Sequence, residues 1–67
     1  MNRAAFDRLE RPEAEQVQRW RFDRLVEAGY ELETASFLAR RVEIDLHLAV
    51  ELARRGCPST TAVRILI

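Results

Sequence analysis

Apolar positions along this chain recur at helical spacing, and no stretch alternates apolar and polar residues at the two-residue period of a strand. Ala5, Phe6 and Leu9 mark a short first helical turn that Asn2 can cap. That segment ends or kinks at Arg11, because the residue before a proline is pushed away from helical backbone angles. Pro12 suits the start of a second helix, with Glu13 and Glu15 near its positive end, and the pattern continues to Ala28. This helix carries one stripe of Ala14, Val17, Leu25 and Ala28 and a second of Phe22 and Val26, with Trp20 on a further side. Gly29 stands where a left-handed cap would stop it. A third helix is expected from Glu31 to Arg40. A fourth runs from Leu46 to Arg55, capped by Asp45 and with Arg54 and Arg55 at its negative end. Gly56 ends it, and Pro58 with Ser59 opens a last helix through Leu66.

The second half of this pattern repeats the first with an offset of 27 residues. Leu25, Gly29, Thr34, Ala35 and Leu38 line up with Leu52, Gly56, Thr61, Ala62 and Ile65, and Val17 with Ile44. Each copy reads as a helix closed by glycine, a tight reversal, and a second helix that alanine allows to pack closely. The expected fold class is therefore all-α, a compact bundle of four to five short helices built as two stacked helix–glycine–helix hairpins. Residues 1–67 are expected to form one domain, with an N-terminal arm over 1–11, a first hairpin over 12–40 and a second over 44–67.

Leu46, Leu48, Ala49, Val50, Leu52 and Ala53 make the fourth helix apolar nearly all round, the signature of a central, buried helix. A core of this size cannot cover every apolar face. Some of Trp20, Phe22, Phe6 and Tyr30 should therefore be exposed in an isolated monomer or covered by another chain. Tryptophan, tyrosine and arginine are over-represented among residues that carry binding energy, and Trp20 lies between Arg19 and Arg21.

With 67 residues the chain is near the lower limit for folding alone, so idealised helix packing, a staple or self-association is expected. Cys57 is the single cysteine and His47 the single histidine, which leaves no internal disulfide and no zinc site from that pair. A free thiol without a disulfide framework fits a cytoplasmic setting. No apolar run approaches the roughly 20 residues of a membrane span, and the first ten residues hold no signal-peptide core. Eleven arginines balance eleven acidic residues, with no lysine. Neutrality removes the long-range pull on nucleic acid unless arginines cluster in space. Their scatter along the chain matches the composition of a GC-rich genome.

Catalytic chemistry finds little support. Asp45 and His47 are two apart on a helix and point in different directions, so Asp45 reads as a cap and His47 as structural. Cys57 lies in a helix N-terminal turn, where a thiol pKa can fall, but no base accompanies it. No catalytic residue, cofactor, metal site or small-molecule substrate is expected.

The run from Leu52 to Leu66, with Gly56, Thr61, Arg64, Ile65 and Leu66 in register, resembles the core of bacterial helix-turn-helix regulators. That resemblance implies Ser59, Thr60 and Arg64 as DNA-facing residues, with Arg54 and Arg55 gathered beside them in a dimer. The first copy of the repeat has the same shape with Glu31 and Glu33 near that place, and the chain ends at Ile67. From Leu25 to Leu52, the Ala28-Gly29-Tyr30 turn, the Ala35-x-x-Leu38 helix and the next helix are similar to a ubiquitin-associated-type module. There the resemblance implies a partner-binding patch at Gly29 and Tyr30. The longer string from Ala28-Gly29 through Asp45-Leu46-His47 and Gly56-Cys57-Pro58 to Ile65-Leu66 looks like small uncharacterised actinobacterial proteins and implies no activity.

These readings converge on a non-enzymatic helical protein–protein interaction module. It is expected to self-associate or bind another protein through Trp20, Phe22, Val26, Tyr30 and Phe6, away from membranes. A small helix-turn-helix DNA binder using Ser59, Thr60, Arg64, Arg54 and Arg55 is the alternative.

Overall fold

A computed structural model describes residues 2–67. Five helices and, among the described residues, no strand follow in order: α1 (Arg3–Asp7), α2 (Arg11–Ala28), α3 (Leu32–Arg40), α4 (Leu46–Arg54) and α5 (Ser59–Leu66). The all-α expectation holds, and the limits of α2 to α5 fall within a residue of the expected ones; α1 is shorter than expected, ending at Asp7 before Leu9, and Arg11 opens α2 instead of closing the first segment. Asn2 caps α1, its Oδ1 accepting the Ala5 N–H at 2.7 Å. α2 begins one residue early, at Arg11, because the Ala14 N–H bonds the Glu10 carbonyl at 2.9 Å and makes Glu10 the cap. Pro12 fits there because the first turn has no use for its missing N–H.

The two glycine turns have the same construction. Gly29 at φ 116° and Gly56 at φ 82° both take the left-handed region. The N–H after each glycine reaches back five residues, Tyr30 to the Leu25 carbonyl at 3.1 Å and Cys57 to the Leu52 carbonyl at 3.0 Å. Each glycine N–H bonds the carbonyl three residues earlier, Val26 and Ala53, at 3.0 Å. This is the paired closure that satisfies the last carbonyls of a helix.

α3 packs on α2, α4 on α2, and α5 on α4. The core is Leu25, Tyr30, Ala35, Leu38, Ala39, Ile44, Ala49 and Ala62, at the junction of α2, α3 and α4. Ala35 and Ala62, the matching alanines of the repeat, are both fully buried, as close helix approach requires. α2 is longer than the bundle it supports, and its first half, residues 11–20, stays exposed or half-buried. The molecule accordingly measures 35 × 18 × 16 Å.

The expectation of a buried fourth helix is corrected. Only Ala49 of α4 is buried; Leu46, Val50, Leu52 and Ala53 are half-covered, and Leu48 is 42% exposed. α2 and α5 cover two sides of α4 and leave the others open. None of the helices among the described residues is long and apolar enough to cross a membrane.

Candidate functional site

Trp20 is the most exposed aromatic residue, at 57%, and it stands where α2 leaves the bundle. A concavity of about 410 Å³ lies between it and α4, lined by Arg24, Leu46, His47, Val50, Glu51 and Arg54. A second, of about 560 Å³, shares Trp20, Leu46 and His47 and extends over Val17 and the turn that leads into α4. The indole is therefore the ridge between two hollows, with apolar floor from Val17, Leu46 and Val50 and charged rims.

The groove is held in shape by Arg21, the neighbour of Trp20. Its side chain is buried, and one terminal nitrogen donates to the Ile44 carbonyl at 2.8 Å and the Arg41 carbonyl at 3.3 Å. Those carbonyls belong to the turn between α3 and α4, closed also by the Ile44 N–H on Arg41 at 2.9 Å. Burial lowers the Arg21 pKa from its ordinary value, and the charges of Glu43 and then Asp45 oppose that shift. Arg21 Nε is buried with no partner, a polar group whose desolvation the carbonyl bonds and nearby carboxylates must offset. Asp45 completes the turn as α4 cap, Oδ1 accepting the N–H groups of His47 at 2.9 Å and Leu48 at 3.3 Å. The chain from Arg21 to the turn to the cap fixes where α4 starts, and with it the far wall of the groove.

Charges around the groove are largely matched. Arg24 pairs with Glu27 at 3.3 Å and Glu51 with Arg55 at 3.1 Å, while Arg54 has no ion pair among the described residues. Exposed pairs of this kind add little to stability. Among the described residues no cluster of histidine, cysteine and carboxylate groups could hold a metal ion. Cys57 is half-buried, its thiol 3.7 Å from the Pro58 carbonyl.

The residues expected at a protein interface do not share one surface. Trp20 is exposed; Phe22 and Val26 are half-buried against the core. Tyr30 and Phe6 are buried. Tyr30 donates its hydroxyl to the Ala49 carbonyl at 2.7 Å, and burial first, then the Cys57 thiol, raises its pKa. It links α4 to the first glycine turn and has no face left for a partner patch there. Phe6 packs beneath Arg3, whose guanidinium lies 5.3 Å from the ring. The residues of the DNA reading are also divided. Thr60 and Arg64 are exposed and Ser59 half-buried around a shallow hollow shared with Thr34. Arg54 faces the Trp20 groove, and Arg55 is engaged by Glu51.

Arg21 is the residue that sequence reasoning passed over, and its signal was present. Position 21 sits four residues after Val17 and four before Leu25, in the middle of the apolar stripe. A charged residue on a core stripe needs polar partners inside, and the turn carbonyls supply them. Comparison with known proteins matches no family model, no curated protein and no solved structure.

Proposed function

We propose that this chain is a non-enzymatic helical interaction module that docks a protein partner across the Trp20 groove, in the cytoplasm. The observation that carries the reading is the exposed indole between two hollows whose walls are held by Arg21 and the Asp45 cap. A large amphipathic ring on a fixed helix loses little freedom when covered, which is why tryptophan anchors interfaces so often. Arg54 and Arg24 at the rim give a partner carboxylate a place to bind beside the ring.

A photo-crosslinking residue at position 47, inside the groove, tests this in cells that make the chain. A discrete protein adduct that disappears with Trp20→Ala supports the reading. No adduct, or the same adduct from a control at the exposed position 13, overturns it. The helix-turn-helix alternative draws on exposed Thr60 and Arg64. It predicts duplex binding that falls steeply with salt and with Arg64→Ala.

A further inference from the structure

The two hollows beside Trp20 differ in charge. The one over α4 holds Arg24 and Arg54 against Glu51, and the one toward the α3–α4 turn holds Glu43 and Asp45 against Arg21. Most of these groups are engaged within the molecule: Arg24 by Glu27, Glu51 by Arg55, Glu43 by Arg41 at 4.0 Å, and Arg21 by two turn carbonyls. Two exposed charges have no ion pair among the described residues, Arg54 and Asp45. Asp45 uses only Oδ1 for the cap, which leaves Oδ2 with no hydrogen bond among the described residues. The two charges stand at opposite ends of α4, Arg54 as its last residue and Asp45 as its N-cap. The length of α4, 9 residues, sets them about 13.5 Å apart along the helix axis.

We propose that the partner segment at this groove is an amphipathic helix lying antiparallel to α4, with a carboxylate in its first turn for Arg54, an arginine or lysine in its last turn for Asp45, and apolar side chains between them around Trp20. This rests on the Trp20 reading and adds the partner's secondary structure, direction and charge order. Backbone hydrogen bonding decides for a helix. The groove runs between α2 and α4, whose peptide groups bond within their own helices, and among the described residues no strand edge exists to receive an extended segment. An extended segment laid there would cover peptide groups that find no partner, whereas a helix satisfies its own and presents only side chains. Val17, Leu46 and Val50 form the apolar floor, the last two one helical turn apart, and a partner helix meets them with apolar residues at the same spacing.

Charge order decides the direction. A helix carries acid best in its first turn and base best in its last, because its dipole is positive at the N-terminus and negative at the C-terminus. The antiparallel placement brings that acid to Arg54 and that base to Asp45, and it also sets the two helix dipoles in opposition. In the parallel placement the same helix would bring its acid to Asp45 and its base to Arg54, like charge on like. Length agrees with this occupant. An acid and a base about seven or eight positions apart share one helix face and lie about 11–12 Å apart along it, within side-chain reach of both ends of α4.

A displayed library of randomised helical peptides, selected on the full chain and depleted on Trp20→Ala, tests the proposal. The peptides that remain should carry Asp or Glu in the first turn and Arg or Lys about seven or eight positions later. For such a peptide, fluorescence anisotropy should show Arg54→Glu weakening binding about tenfold, with recovery when the peptide's own acid is changed to lysine. Asp45→Asn, which keeps the cap because asparagine caps as well as aspartate, should weaken binding about threefold. If Arg54→Glu loses helical circular dichroism, Arg54→Gln decides in its place, with a loss of about threefold. Trp20-dependent peptides with no charge order, or with the base in the first turn, overturn this proposal and leave the Trp20 reading standing. So does a loss with Arg54→Glu that the lysine peptide does not recover. The absence of any Trp20-dependent peptide overturns both. Sedimentation equilibrium that shows a wild-type dimer dissolved by Trp20→Ala also overturns the proposal, because the groove then belongs to a second copy of the chain.

Discussion

Gly29 and Gly56 end α2 and α4 through the same pair of backbone hydrogen bonds, yet the helices that follow them meet different surroundings. Leu38 on α3 is sealed in the core, and Ile65, its counterpart on α5, stands more than half exposed. Local sequence writes the glycine closure twice, because closure needs only a residue free to take positive φ and carbonyls within reach. Covering a side chain needs a neighbour: Leu38 finds it in the core, and Ile65 does not, although Ala62 on the same helix is fully buried. The same motif position is therefore core in one half and surface in the other, while the alanines Ala35 and Ala62 are buried in both.

Truncation should expose that difference most strongly. Leu38→Ala is expected to cost about 3 kcal/mol in denaturant unfolding, through lost burial and a residual cavity. Ile65→Ala at low protein concentration should change stability by only about 0.5 kcal/mol, as exposed substitutions do. Equal costs would break the comparison.

Arg21 and Leu48 give the next contrast. Arg21→Ala removes the guanidinium donor from the Ile44 carbonyl and leaves the Arg41 carbonyl with only the Ile44 N–H, and should cost about 2 kcal/mol. It should also loosen the start of α4, visible as faster amide exchange at Ala49 and Val50. Leu48→Ala in the monomer should cost well under half of that.

The glycines sharpen the backbone side of the comparison. Neither would place an added Cβ within 4 Å of a neighbouring atom, so only backbone strain separates them. Gly29 at φ 116° lies further from the left-handed well near φ 57° than Gly56 at 82°. Gly29→Ala is expected to cost about 2 kcal/mol and Gly56→Ala about 1 kcal/mol in thermal unfolding.

Tyr30 adds a modest effect with a pH signature. Its folded pKa is raised by burial and then by Cys57, so its stabilising contribution is complete below the unfolded value of about 10. That contribution is lost as pH rises through the folded value. Tyr30→Phe should cost about 1 kcal/mol at neutral pH by removing the bond to Ala49. It should also flatten the alkaline loss of stability expected of the wild type.

Helix limits were legible in the sequence because caps, prolines and glycines act within a few residues of themselves. Asn2, Asp45, Gly29 and Gly56 all do what local chemistry asks. Exposure was less legible. Phe6 and Tyr30 are buried where a partner surface was expected, because Tyr30 reaches a carbonyl 19 residues away, a pairing no local pattern encodes. α4 looked central because it is apolar all round, and its open sides appear only once α2 and α5 are placed around it. Arg21 shows the same limit. The stripe marks its position as inward, but its partners come from a turn 20 and 23 residues further on.

Amide hydrogen exchange tests most directly whether the two copies are held with different firmness. Amides of α3 around Leu38 should exchange only through near-global opening, while those of α5 around Val63 to Leu66 should exchange markedly faster. Equal protection of α3 and α5 would contradict the difference between the two copies.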